Sequence, residues 1–308
     1  MEIKAETATL AHGHLDHFVY KAMIEQPLLD KDAWVHFFST ADLPVLRHSA
    51  NDLDLLREKT DSVNGRILAG VILQDPLLAL RVLAYIESHR TLRQTVDIAT
   101  IDRAIMMIGV TPFFRDFQHL PIAEEQLKVH PQALLGLLKA INRAHRAAHW
   151  ARHWAILRRD IDVEEITLAT LLHDLAELLM WLFAPTLALK VSEAQRAQPH
   201  QRSATIQSQI YGVPLYQLKL SLAEAWHLPA LLVQLMDHQH TENPRVRNVK
   251  LAVDLARHSA NGWNDAALPD DFAAIRDLLH INQETLVRHL DLDAATTKEL
   301  LMQDNPGD

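Results

Sequence analysis

The stretch from Leu168 to Trp181, LATLLHDLAELLMW, constrains the fold more than any other. It joins strong helix formers to apolar residues on almost every side, the pattern of a helix buried in the middle of a globule. At its centre stand His173 and Asp174. Two titratable groups in such surroundings need partners, because an unpaired buried charge is costly. These residues leave two readings open. In one, His173 faces a polar seam and Asp174 bonds a nearby donor. In the other, the two side chains are adjacent metal ligands.

The rest of the chain points to the same class of fold. Only 8 of 308 residues are glycine, and runs of β-branched and aromatic residues are few, so an all-α protein is expected. The formal charge of -9 opposes direct nucleic-acid binding, which needs a basic surface. The absence of cysteine excludes disulfides, thiolate metal sites and cysteine nucleophiles. Met1 to Glu6 is mixed in charge and lacks the apolar core of a signal peptide. No uncharged apolar run reaches the ~18 residues of a membrane span, so no membrane partner and a cytoplasmic location are expected.

Punctuation along the chain marks short helices with short connections. Asp75-Pro76 reads as an N-cap followed by proline in the first turn, with Leu77, Leu80, Leu83 and Ala84 on one face. Ile101, Ala104-Ile105 and Ile108 form another helix closed by Gly109, and Thr111-Pro112 repeats the start signal. Tyr211-Gly212-Val213-Pro214 breaks the chain before a helix over 218–226. A further helix over 249–259 carries Asp254, and helical segments follow near 272–279 and 284–290. Ahead of all this, His12, His14, His17 and His36 read as surface histidines on a helical extension.

The segment from Lys139 to Arg159 is strongly basic and holds no carboxylate before Asp160. Arg143, Arg146, His145 and His149 make it a candidate anion site, for instance for nucleotide phosphates. The plainer reading is a face that pairs with acids elsewhere. Ala148, Ala151 and Ala155 add a stripe of small residues that permits close packing on a neighbour.

In this order, several elements resemble the HDOD family, the HD-related output domain of bacterial signalling proteins. They are Leu43-Pro44, Ile72 to Leu77, Val96-Asp97-Ile98 with Ala104-Ile105 and Gly109, the alanine stripe, Leu171-Leu172-His173-Asp174, and Trp226-His227-Leu228-Pro229 ahead of His238 and His240. The resemblance covers residues 41–260. It implies a two-lobed helical bundle of HD-like type, with one lobe over 41–130 and an HD-like lobe over 131–260. Helical additions occupy 1–40 and 261–308. It also implies a role in signal transduction, with a kinase, cyclase or other regulatory module as partner.

The parent HD superfamily is identified with metal-dependent phosphohydrolases, and by that resemblance His173, Asp174 and Asp254 would supply three ligands of a divalent metal. The first ligand of the set is missing, because alignment on the alanine stripe puts Arg143 where a histidine belongs. His145 lies two residues further on and turns away by about 200°. Instead, the Arg143 guanidinium would pair with Asp174. Ala176 and Glu177 stand where the family has glycine and often lysine, Leu215 replaces a further histidine, and His238-Gln239-His240 splits an expected His-His pair. The expectation is therefore a degenerate site, no bound cofactor, and a non-catalytic regulator working by docking or by nucleotide or anion sensing. The alternative is a metal-dependent phosphohydrolase for a nucleotide or cyclic dinucleotide, with His145 or His149 as fourth ligand and His238 or His240 as a further ligand or acid/base group.

Overall fold

The computed structural model describes residues 23–89, 98–198, 200–290 and 292–303; His12, His14 and His17 lie outside them. The described residues form helices joined by short turns, and the one bridge of strand type pairs Val45 with Ile122. The helices gather into two groups around one continuous apolar core.

The first group contains Arg47–Arg57, Gly65–Ile72, Pro76–Ser88, Ile101–Ile108 and Val110–Asp116. Its local signals work as the sequence suggests. Asp75 is the N-cap of the Pro76 helix, and its carboxylate accepts from Leu77 N at 2.9 Å and from Leu46 N at 2.7 Å. One fully buried side chain thus satisfies two backbone donors and ties the entry of the group to its central helix. Gly109, at φ 83°, ends the Ile101 helix in a conformation that costs a side chain strain. The next helix begins already at Val110, so Thr111-Pro112 falls inside its first turn rather than ahead of it.

The second group is built on the 27-residue helix Pro131–Leu157, longer at its start than its basic segment. Val163–Leu171, Leu175–Phe183 and Pro244–His258 pack against it. Ala144, Ala147, Ala148, Ala151 and Ala155 are all buried. Their small side chains let the Pro244 helix come close enough for Asn248 Nδ2 to donate to Ala151 O at 3.1 Å. Ala144 and Ala148 also receive Leu73 of the first group, where His145 Nε2 lies 3.0 Å from Gln74 O.

The additions are integrated into the core. The Lys31–Ser39 helix, which carries His36, buries Trp34 and Phe38 and packs on the Leu215–Ala225 helix; Trp34 Nε1 donates to Tyr211 O at 3.2 Å. At the other end, Trp150 Nε1 donates to Leu290 O at 3.2 Å, which fixes the C-terminal helices to the long one.

Gly136 in the long helix shows packing overriding propensity. A Cβ there would meet the Trp181 ring at 2.6 Å. Helix propensity alone favours alanine by about 0.5–1 kcal/mol, whereas overpacking costs about 1–3 kcal/mol. Gly136→Ala is expected to lower stability by about 1–2 kcal/mol in urea unfolding, and a gain would show that the indole yields.

The expected single helix over 168–181 is corrected by the structure. Val163–Leu171 ends, Leu172 to Asp174 form a turn, and a new helix runs from Leu175 to Phe183. His173 N still donates to Thr170 O at 3.2 Å and Leu178 N to Asp174 O at 3.2 Å, so few backbone bonds are lost at the break. The physical reason is tertiary: three other helices deliver charged groups to the two polar side chains, and those contacts outweigh the local preference for an unbroken helix. The 163–183 stretch is apolar enough to span a bilayer by length and composition, but most of it is buried inside the protein.

Candidate functional site: a charge network around His173 and Asp174

The turn at 172–174 aims His173 and Asp174 into a space bordered by four helices. From the long helix comes Arg143, whose Nη2 donates to Asp174 Oδ2 at 3.3 Å and to Glu177 Oε2 at 2.6 Å. From Pro244–His258 comes Arg257, whose Nη2 lies 3.2 Å from Asp174 Oδ1 and 3.4 Å from Oδ2. From Leu215–Ala225 comes Lys219, only 3 % exposed, whose Nζ donates to Met236 O at 2.8 Å and lies 3.0 Å from His173 Nε2. His173 Nδ1 is 3.0 Å from Asp174 Oδ1.

The hydrogen bonds define the state of the ring. A lysine ammonium can only donate, so His173 Nε2 accepts, and its Nδ1–H donates to Asp174. His173 is therefore neutral. Burial, reinforced by the Lys219 charge, pulls its pKa down to about 4. Burial by itself would raise the Asp174 pKa, but Arg257, the His173 hydrogen bond and Arg143 together hold it well below the usual carboxylate range. Burial also lowers Lys219 to about 8, which leaves it mostly charged at neutral pH.

Two guanidinium groups thus contact two carboxylates directly, and Lys219 reaches Asp174 through the His173 ring. Asp254 adds longer-range attraction to Lys219 and Arg257, while its own carboxylate bonds Lys250 one turn earlier.

Of the residues singled out in the sequence, the structure brings together His173, Asp174 and Arg143. His238 sits near them, its ring centroid 6.4 Å from that of His173 and 4.0 Å from the Tyr216 ring. His240 lies outside, near Asp237 and Glu242 on the surface. His145 bonds the first group of helices, as its helical phase requires. His149 is exposed. Arg146 donates to Ser259 Oγ at 2.8 Å and lies over the Trp150 ring at 5.0 Å. Arg143 is occupied by Asp174 and Glu177 rather than open to an anion, and Glu177 holds Arg143 instead of repelling a phosphate.

Sequence reasoning missed Lys219 and Arg257. Both left a trace. Lys219 occupies an apolar face with Leu222, Ala223 and Trp226, where a lysine has to be buried, and Arg257 lies one turn beyond Asp254.

These residues do not fit a divalent ion. The three expected ligands already face internal cations: His173 Nε2 faces Lys219, both Asp174 oxygens face guanidinium groups, and Asp254 bonds Lys250. Among the described residues no three His, Asp or Glu side chains converge as a metal site.

Comparison with known proteins adds the following. A family model described as HDOD domain matches residues 43–242. The fold is similar to that of the MmoQ response regulator from Methylococcus capsulatus, with a TM-score of 0.61 at 18 % identity over 82 % of this chain and 98 % of the other. It is also similar to a virulence factor from Campylobacter jejuni, with a TM-score of 0.61 at 17 % identity over 91 % of this chain and 99 % of the other. No curated protein matches the chain.

Proposed function

Because this chain belongs to the HDOD family, we propose that it is a signal-transduction regulator that works by docking to another signalling protein and not by hydrolysis. The observation supporting this reading is the closed network at His173 and Asp174, where Lys219, Arg143 and Arg257 face the atoms a metal would need. A metal-dependent phosphohydrolase requires its ion to activate water and to polarise the phosphoryl oxygen. Here fixed cations neutralise the carboxylate but carry no water to be activated. The partner class is a kinase, a cyclase or a comparable regulatory module. The structurally similar MmoQ protein is a response regulator, which accords with such a setting.

The test has two arms on the intact chain. After incubation with manganese, iron or nickel and desalting, metal analysis is expected to find far less than one ion per chain. Bis(p-nitrophenyl) phosphate is expected to remain unhydrolysed. A tightly held stoichiometric ion, or turnover that a chelator abolishes, would overturn the reading.

A further inference from the structure

The region after the family-matched span holds a cleft of about 460 Å³ between the Leu268–Leu279 helix, the loop before it and the last two helices. Its lining includes Trp263, Asp265, Phe272, Arg276, Gln283 and Leu300. That volume is in the usual range of small-molecule sites, about 300–1,000 Å³.

Arg276 makes this cleft chemically specific. Three carboxylates of this region pair with other cations: Asp271 bonds His258 at 2.6 Å, Asp277 bonds Arg247 at 2.7 Å and Glu284 bonds Arg288 at 2.5 Å. Asp265 Oδ1 accepts from Ala267 N at 2.9 Å. Arg276 itself, among the described residues, has no carboxylate partner, and its Nε is buried without any acceptor. An unmet buried N–H is costly and is met in most proteins.

The walls supply the other half of the recognition. The Trp263 and Phe272 rings are nearly parallel, with centroids 6.3 Å apart and an interplanar angle of 15°, and they present apolar ring surface to the cleft. Gln283 adds an amide from the following helix. Because Nε is closed off from solvent, the guanidinium meets the cleft through its Nη groups, whose parallel N–H donors match the two oxygens of a carboxylate. We propose that this cleft is a binding site for a small aromatic carboxylate, with its acid group on the Arg276 edge and its ring against Trp263 and Phe272. The site lies apart from the His173–Asp174 network and does not depend on the docking reading.

The test is calorimetric titration of the full chain with indole-3-carboxylate, alongside the neutral indole-3-carboxamide. Saturable one-to-one binding of the acid is expected, with the amide weaker by about ten- to a hundredfold, the effect of one charge-assisted contact. Arg276→Gln should weaken the acid by a similar factor and leave the amide unchanged. If that variant melts differently from the parent, the acid-to-amide ratio on the unaltered chain decides alone. No saturable binding of the acid, or equal affinity for acid and amide, overturns the proposal, as does full affinity in a normally folded Arg276→Gln protein.

Discussion

Asp174→Ala is expected to destabilise the protein by about 3–5 kcal/mol, the usual cost of breaking a buried ion pair by removing one partner. Asp174 is the carboxylate on which Arg143 and Arg257 converge and to which His173 donates. Without it, two guanidinium groups and the Lys219 ammonium would retain Glu177 as the one carboxylate in direct contact with any of them. Arg257 keeps 42 % of its side-chain surface; solvent relieves part of its loss and favours the lower half of the range. The sign is informative. In a metal site without its ion, ligand carboxylates repel one another, and removing one tends to stabilise the fold at the expense of function. In the network described above the same change removes the anion on which two guanidinium groups converge. Urea unfolding of both proteins in chelator-treated buffer measures the difference, and an unchanged or increased stability would contradict the network.

Acidification is the second large effect. The folded-state pKa of His173, about 4, lies below its ordinary value of 6.5. As pH falls below 6.5 the unfolded chain takes up a proton that the folded chain refuses. Stability from this group is therefore complete above pH 6.5 and is lost progressively down to about pH 4. A separation of that size corresponds to roughly 3 kcal/mol. Burial lowers His145, His153 and His238 as well, so they act in the same direction. His258 is raised by its bond to Asp271, and its contribution, present below 6.5, is lost as pH rises, on the other side of that value. The measurement is unfolding free energy from neutral pH to pH 4 for the parent and for His173→Asn. The variant should start less stable and fall less steeply, and parallel curves would show that His173 does not titrate as its surroundings require.

Much of the architecture was legible before any coordinates. Asp75-Pro76 marked a real N-cap, Gly109 a real helix end, and Gly212 the left-handed stop after Tyr211. These signals act through the backbone within a few residues, and nothing distant is needed to read them. That Arg143 rather than His145 meets Asp174 was likewise readable, since two residues turn a helix by about 200° and set the side chains on different faces. The unbroken helix over 168–181 was the error, because periodicity registers apolar faces but carries no information about charges arriving from elsewhere.

Local chemistry thus determined by itself that this chain is helical, where many of its helices start and stop, and that His173 and Asp174 are buried and in need of partners. The tertiary structure decided who those partners are. Lys219 lies 46 residues and Arg257 83 residues away from the groups they meet. The energy of a buried charge depends on distances of a few ångström, and only the folded chain sets those distances.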